Sequence, residues 1–251
     1  LGLIAMVPVV VLAYMLLDRV QGDIAFTRKE TLTVPLITPA RQLMQAVQAH
    51  RGVSQTVIGG NSALAGRLAE LRSQADAALK AGDEVNARIG ETLGTAAEWQ
   101  SIRKDWEAVQ SRAVSVGGPE SFRLHSDYIV RVRDFITRVA DATNATLDPE
   151  LETYYLMDIF STRLPGLAED AGRARALGTG LAVRQKVGDA ERVEMTVLMQ
   201  RVADGRRAIE VSVGKAGTND AGLAAQLGGA AKPLDGGIQL CQLVKASGVD
   251  Q

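Results

Sequence analysis

The run LPGLAEDAGRARALGTGLA, residues 164–182, decides how the fold is read. Stepped at 100° per residue from Leu164, its apolar and small side chains gather on one stripe: Leu167, Ala168, Ala171, Gly178 and Ala182. That is the 3.6-residue period of an amphipathic helix. Arg175 falls near the centre of the stripe, Arg173 falls on the opposite face, and Glu169 and Asp170 point towards solvent. A guanidinium aimed at an interior needs a counter-charge, because burying an unpaired one costs several kcal/mol. No acid shares the stripe within a turn of Arg175. The expected partner is therefore a carboxylate on another helix or a bound anion.

Outward from this run the same period fills nearly all of the chain past Pro39. Helices are predicted at about 40–58, 62–89, 92–115, 119–146, 149–185, 188–215 and 218–245. The breaks are Gly59-Gly60-Asn61, Gly90, Gly117-Gly118-Pro119, Asp148-Pro149, Val187-Gly188 and Gly217-Thr218-Asn219. Asp148-Pro149-Glu150 predicts a strong helix start: Asp caps, Pro fits the first helical position and Glu meets the positive end of the dipole. Pro165 predicts a kink. Composition agrees, at 46% hydrophobic and only 4% aromatic, a balance that favours helices over strands. The expected fold class is all-α: about eight antiparallel helices with short connections, forming two four-helix bundles.

The first seventeen residues, LGLIAMVPVVVLAYMLL, carry no charge, and the run ends at Asp18-Arg19. At ~1.5 Å per residue they cover most of a ~30 Å hydrocarbon core. Residues 1–17 are thus predicted as a transmembrane helix, truncated at its start because neither Met nor basic residues precede it. A cleaved signal peptide would need a small-x-small site, but Asp18-Arg19-Val20-Gln21 follows directly. Residues 18–251 form the predicted sensor domain, as one unit or as two bundle modules, with a Gly-rich stretch after Gly217 that matches nothing identifiable.

Several chemistries are not expected. Net charge is −1, so no basic field points to nucleic acid. Cys241 is the only cysteine, which excludes an intrachain disulfide and a cysteine-based metal site. His50 and His125 have no metal-ligand spacing, so no metal is expected. There is no Gly-rich phosphate loop, GxSxG or HExxH. Neither a cofactor nor a catalytic residue is expected, and the chain is read as a non-enzyme.

A second arginine segment, Gln45 to Ser54, parallels the first: Arg, a small residue, an apolar one, then another small one. Leu43, Val47, Ser54, Val57 and Ile58 share a helix face, with His50 in its middle and Arg51 at its edge. Each half of the chain thus directs one guanidinium towards or beside the interior. Arginine suits a planar oxyanion because its rigid fork gives two parallel hydrogen bonds. The plainer alternative is structural, with both arginines snorkelling to water or paired with acids such as Asp134, Asp141 or Glu152.

The QxxRGxS-type motif, Gln48 to Ser54, resembles the nitrate- and nitrite-sensing (NIT) domain of bacterial receptors. Gly172-Arg173-Ala174-Arg175-Ala176-Leu177-Gly178 resembles that family's second arginine segment. Residues 144–158 resemble a stretch of the periplasmic sensor regions of methyl-accepting chemotaxis proteins and sensor kinases. The resemblance implies two four-helix bundles whose arginines, here Arg51 and Arg175, converge on a small anion: nitrate, nitrite or a small carboxylate. His50 and Ser54 would flank that anion. Tyr154 and Tyr155 would offer phenol donors, or else pack as plain core. It also implies a homodimer in the inner membrane, with its sensor domain in the periplasm. Ligand binding would shift one helix against another, as in a chemoreceptor. The alternatives are the sensor of a histidine kinase or cyclase, and an anchored helical docking module with no small ligand.

Overall fold

The structure is a computed structural model that describes residues 2–147, 149–184, 187–218 and 222. Among these residues it is all-helical, with no strand. The helices are α1 (Gly2–Glu30), α2 (Thr33–Ile58), α3 (Ala65–Leu93), α4 (Ala96–Arg112), α5 (Gly118–Ala142), α6 (Leu151–Asp158), α7 (Leu164–Arg184) and α8 (Asp189–Ala216). The helix expected at 218–245 and the Asp148 cap lie outside the described residues.

α2 packs between α3 and α5, and α4 closes the ring against both. Leu36, Ile37, Leu43, Trp99, Phe135 and Ile136 fill the main core inside it. α7 lies between α8 on one side and α2 on the other. Two smaller apolar clusters tie the second half together: Ile159, Leu167, Val202 and Ile209 in one, and Ala174, Met195 and Leu198 in the other.

The register of the α3–α4 hairpin is fixed by paired side chains. The Trp99 indole N–H donates to Asp83 Oδ1 at 2.9 Å, and Trp106 to Asp76 Oδ1 at 3.2 Å. The two aspartates are seven residues apart and so are the two tryptophans, two helical turns in each case, so antiparallel helices match them rung for rung. Gly82 makes room for this. A Cβ added there would lie 1.9 Å from Cζ2 of Trp99, a rigid and fully buried ring. Gly82→Ala is therefore expected to lose about 1–3 kcal/mol through overpacking. A urea midpoint equal to that of the wild type would mean the indole does not lie against α3.

Several predicted breaks moved, each for a local reason. α3 runs through Gly90 and stops at Gly94, whose φ of 67° is the left-handed conformation that ends helices. α2 starts at Thr33 instead of residue 40. Pro35 sits in its first turn, where a missing N–H has no helical partner to lose. In place of a simple kink at Pro165, a π turn spans Ile159–Arg163 just ahead of it, and the Leu164 N–H bonds to Ile159 C=O. The wider turn stands where the proline ring would press on the preceding turn of a regular helix.

The transmembrane helix and the inner-membrane location are corrected. Among the described residues no helix is long and apolar enough to cross a membrane. The uncharged part of α1 ends at Leu17, and Asp18, Arg19 and Asp23 follow within the same helix, which continues unbroken to Glu30. A span needs about 20 consecutive apolar residues. The apolar side chains from Met6 to Leu17 are exposed.

Candidate functional site

α2 has neighbours on three sides, α3, α5 and α7, so its middle turns are buried around most of their circumference. That is why two polar residues in sequence, His50 and Arg51, are both enclosed. They face different neighbours and form two adjoining polar sites.

Arg51 is 1% exposed. Its Nη1 donates to Glu169 Oε1 at 2.7 Å and its Nη2 to Oε2 at 3.2 Å, the fork-on-carboxylate geometry. Glu169, on α7, is itself 5% exposed and also accepts from Gln48 Nε2 at 3.0 Å. From α5, Ser126 Oγ accepts a third Arg51 bond at 2.9 Å while donating to the Phe122 carbonyl at 2.8 Å. The Phe122 ring centroid lies 4.8 Å from the guanidinium carbon, within cation–π range. Gly172 lets α7 come close, since a Cβ there would sit 3.3 Å from Arg51 Nη2. One nitrogen has no partner at all: Arg51 Nε is buried and makes no hydrogen bond.

One residue earlier on both α2 and α5, His50 Nδ1 and His125 Nε2 lie 2.8 Å apart, with both residues fully buried. His125 Nδ1 is 2.7 Å from the Ser121 carbonyl, which can only accept, so Nδ1 carries the proton and Nε2 is free to accept. His50 must then donate from Nδ1, leaving its Nε2 to accept from Arg72 Nε at 3.4 Å. Both rings are neutral in this chain of bonds. Burial, followed by the charges of His125 and Arg72, lowers the His50 pKa to about 3. Burial lowers that of His125 to about 4, against the hydrogen bond to Ser121, with Arg51 adding to the fall.

Of the expected site residues, Arg51, His50 and Ser54 come together; Ser54 Oγ is 3.4 Å from His50 Nδ1. Arg175 does not join them. It is exposed, and Ala174 beside it is buried instead. The stripe that α7 lays on α8 runs through Leu167, Ala171, Ala174, Leu177 and Leu181, which turns Arg175 outwards. Glu169 and Gly172 occupy the opposite side of α7, against α2 and α5, so the expectation that Glu169 faces solvent is also corrected. Tyr154 and Tyr155 lie on α6, where the Tyr155 hydroxyl accepts from Lys215 of α8 at 3.0 Å. Neither is among the contacts of Arg51.

Sequence reasoning missed Glu169, Ser126, Gly172 and the pairing of His125 with His50. A usable signal existed for one of them: the chain's only two histidines, His50 and His125, each lie on a strongly periodic helix face. Chemically, the Arg51 site is a rigid double donor for a planar, two-oxygen anion, and the Glu169 carboxylate currently fills that role. Among the described residues no group of three or more His, Cys, Asp or Glu side chains is placed to hold a metal ion. Comparison with protein-family models, with curated proteins and with solved structures finds no match to the chain.

Proposed function

We propose that this chain is a ligand-responsive sensor module in which a small planar oxyanion competes with Glu169 for the Arg51 fork. One observation carries the reading: a fully enclosed guanidinium binds a carboxylate through both Nη atoms at the seam between α2 and α7, with Nε to spare. A nitrate, nitrite or small carboxylate would replace one oxyanion with another, so the exchange forfeits few hydrogen bonds. It would break the ion pair that holds α7 to α2 and favour a state in which the two helices are less tightly tied. A ligand that binds the released state better shifts the population towards it. α2 leads through Thr31 and Leu32 into α1, and its first residue, Thr33, donates to Thr143 Oγ1 at 2.6 Å at the end of α5. A movement of α2 is thus positioned to reach α1. The resemblance of residues 48–54 to an anion-sensing motif supports the same reading.

Titration calorimetry of the full chain with nitrate, nitrite, formate and acetate tests it. Saturable binding of at least one anion is expected. Arg51→Lys keeps the charge but loses the fork, and should weaken binding by about tenfold or more. Absence of binding across the panel would sink the anion reading. It would favour a helical docking module, for which the exposed apolar side chains of α1 are the relevant observation.

A further inference from the structure

Anion entry at Arg51 alters the charge of an enclosed space whose other members are neutral. Gln48 on α2, Ser126 and Phe122 on α5, and Gly172 on α7 surround the Arg51–Glu169 pair, and His50 and His125 are tied to each other as neutral rings. Further out, other charged groups on the packed elements have settings of their own. On α7, Asp170 is 3.9 Å from Arg201 of α8, and Arg173 is 3.4 Å from Glu194 of α8. On α5, Arg133 lies along α7 at Gly166. On α3, Arg72 faces the His50 ring. One cation and one anion therefore balance within the enclosure, and a second anion would leave it with an uncompensated negative charge, which burial penalises heavily.

Resting on the anion reading above, we infer that the ligand enters together with one proton, and that Glu169 is the group that takes it. The balance is simple. The Arg51 cation, the Glu169 carboxylate, the incoming anion and one proton from solvent become an Arg51–anion pair and a neutral Glu169 carboxylic acid. Glu169 keeps a partner after the exchange, because the Gln48 amide that donates to its carboxylate also has an oxygen able to accept from the new O–H. The histidine pair is a poor alternative destination. Its one remaining lone pair, on His50 Nε2, faces the N–H of Arg72, and a proton placed there would set two donors against each other. Site occupancy would then report anion and acidity together.

Nitrate is the decisive probe, since it does not itself take up a proton near neutral pH. The full chain is titrated with nitrate, and with acetate in parallel, in two buffers of widely different ionisation enthalpy between pH 6 and 7.5. The binding heat should differ between buffers by the amount for about one proton taken up per anion, and affinity should rise about tenfold per pH unit of acidification. In Glu169→Gln, binding should persist, tighten and lose both dependences. Wild-type binding with no proton uptake would overturn the inference while leaving the anion reading intact; Glu169 would then stay ionised, in water or on Arg133. Uptake that survives in Glu169→Gln would assign the proton elsewhere and overturn it equally. No binding in either protein would remove the anion reading and this inference with it.

Discussion

Arg51→Ala is expected to lose about 3–5 kcal/mol of folding stability, the range for breaking one side of a buried ion pair. The loss comes less from the missing attraction than from what remains. Glu169 would stay enclosed without its counter-charge and with only Gln48 donating to it, and Ser126 would lose the N–H it accepts. The double variant Arg51→Met/Glu169→Leu removes both charges and roughly refills the space, so it should recover most of the loss and stand near the wild type. The cycle of Arg51→Ala, Glu169→Ala and both together, read from urea midpoints at neutral pH, should show strong coupling between the two sites. An Arg51→Ala midpoint within about 1 kcal/mol of wild type would mean that water reaches the pair, because exposed pairs contribute no more than that. The same stability data separate a fold lost from a site lost, which any ligand measurement on these variants requires.

Legibility in the sequence followed how many faces of a helix are buried. On α2 the apolar side is continuous, and Leu43, Val47, His50 and Ser54 fall on it as the period predicts. α7 is buried on two opposed sides. A single-stripe reading had to choose one, and it placed Arg175 near the centre of its stripe, where the structure has Ala174. A glutamate that is solvent-facing by periodicity is buried in fact, because its side of α7 meets a guanidinium on another helix. No local pattern encodes that contact. Turn chemistry was readable where a proline follows paired glycines, as at Gly117-Gly118-Pro119, where the structure starts α5, and was missed at the left-handed Gly94. At Gly90 it was not readable, since that glycine lies inside α3 with Asn86 and Ala96 crowding the place of its missing Cβ. The α3–α4 register was present in the spacing of Asp76, Asp83, Trp99 and Trp106, but it becomes visible only once the two helices are known to be antiparallel neighbours. The long uncharged start of α1 misled through composition, since charge-free length is only part of what a span requires.

Acidification should destabilise the fold well before most carboxylates are protonated. In the unfolded chain His50 and His125 take up protons as pH falls through about 6.5. In the folded chain they stay neutral until about pH 4 for His125 and about pH 3 for His50. Across that window the unfolded state holds more protons than the native state, so stability falls as pH falls, by up to ~1.4 kcal/mol per pH unit for each histidine. Between pH 6.5 and 4 this amounts to about 3 kcal/mol per ring, a large share of the stability of an ordinary domain. Above about pH 7.5 the pair contributes little slope. Two measurements check this. The histidine ring resonances of the native protein should not move between pH 8 and 5. Urea midpoints over the same range should be flat at the alkaline end and fall steeply below pH 6.5, with a slope near two protons. A ring that titrates near 6.5 in the native state would show that the 2.8 Å contact between His50 and His125 opens readily to water. The neutral relay from Arg72 to the Ser121 carbonyl would then not be a fixed part of the fold, and the enclosure argued for Glu169 would have a proton acceptor beside it.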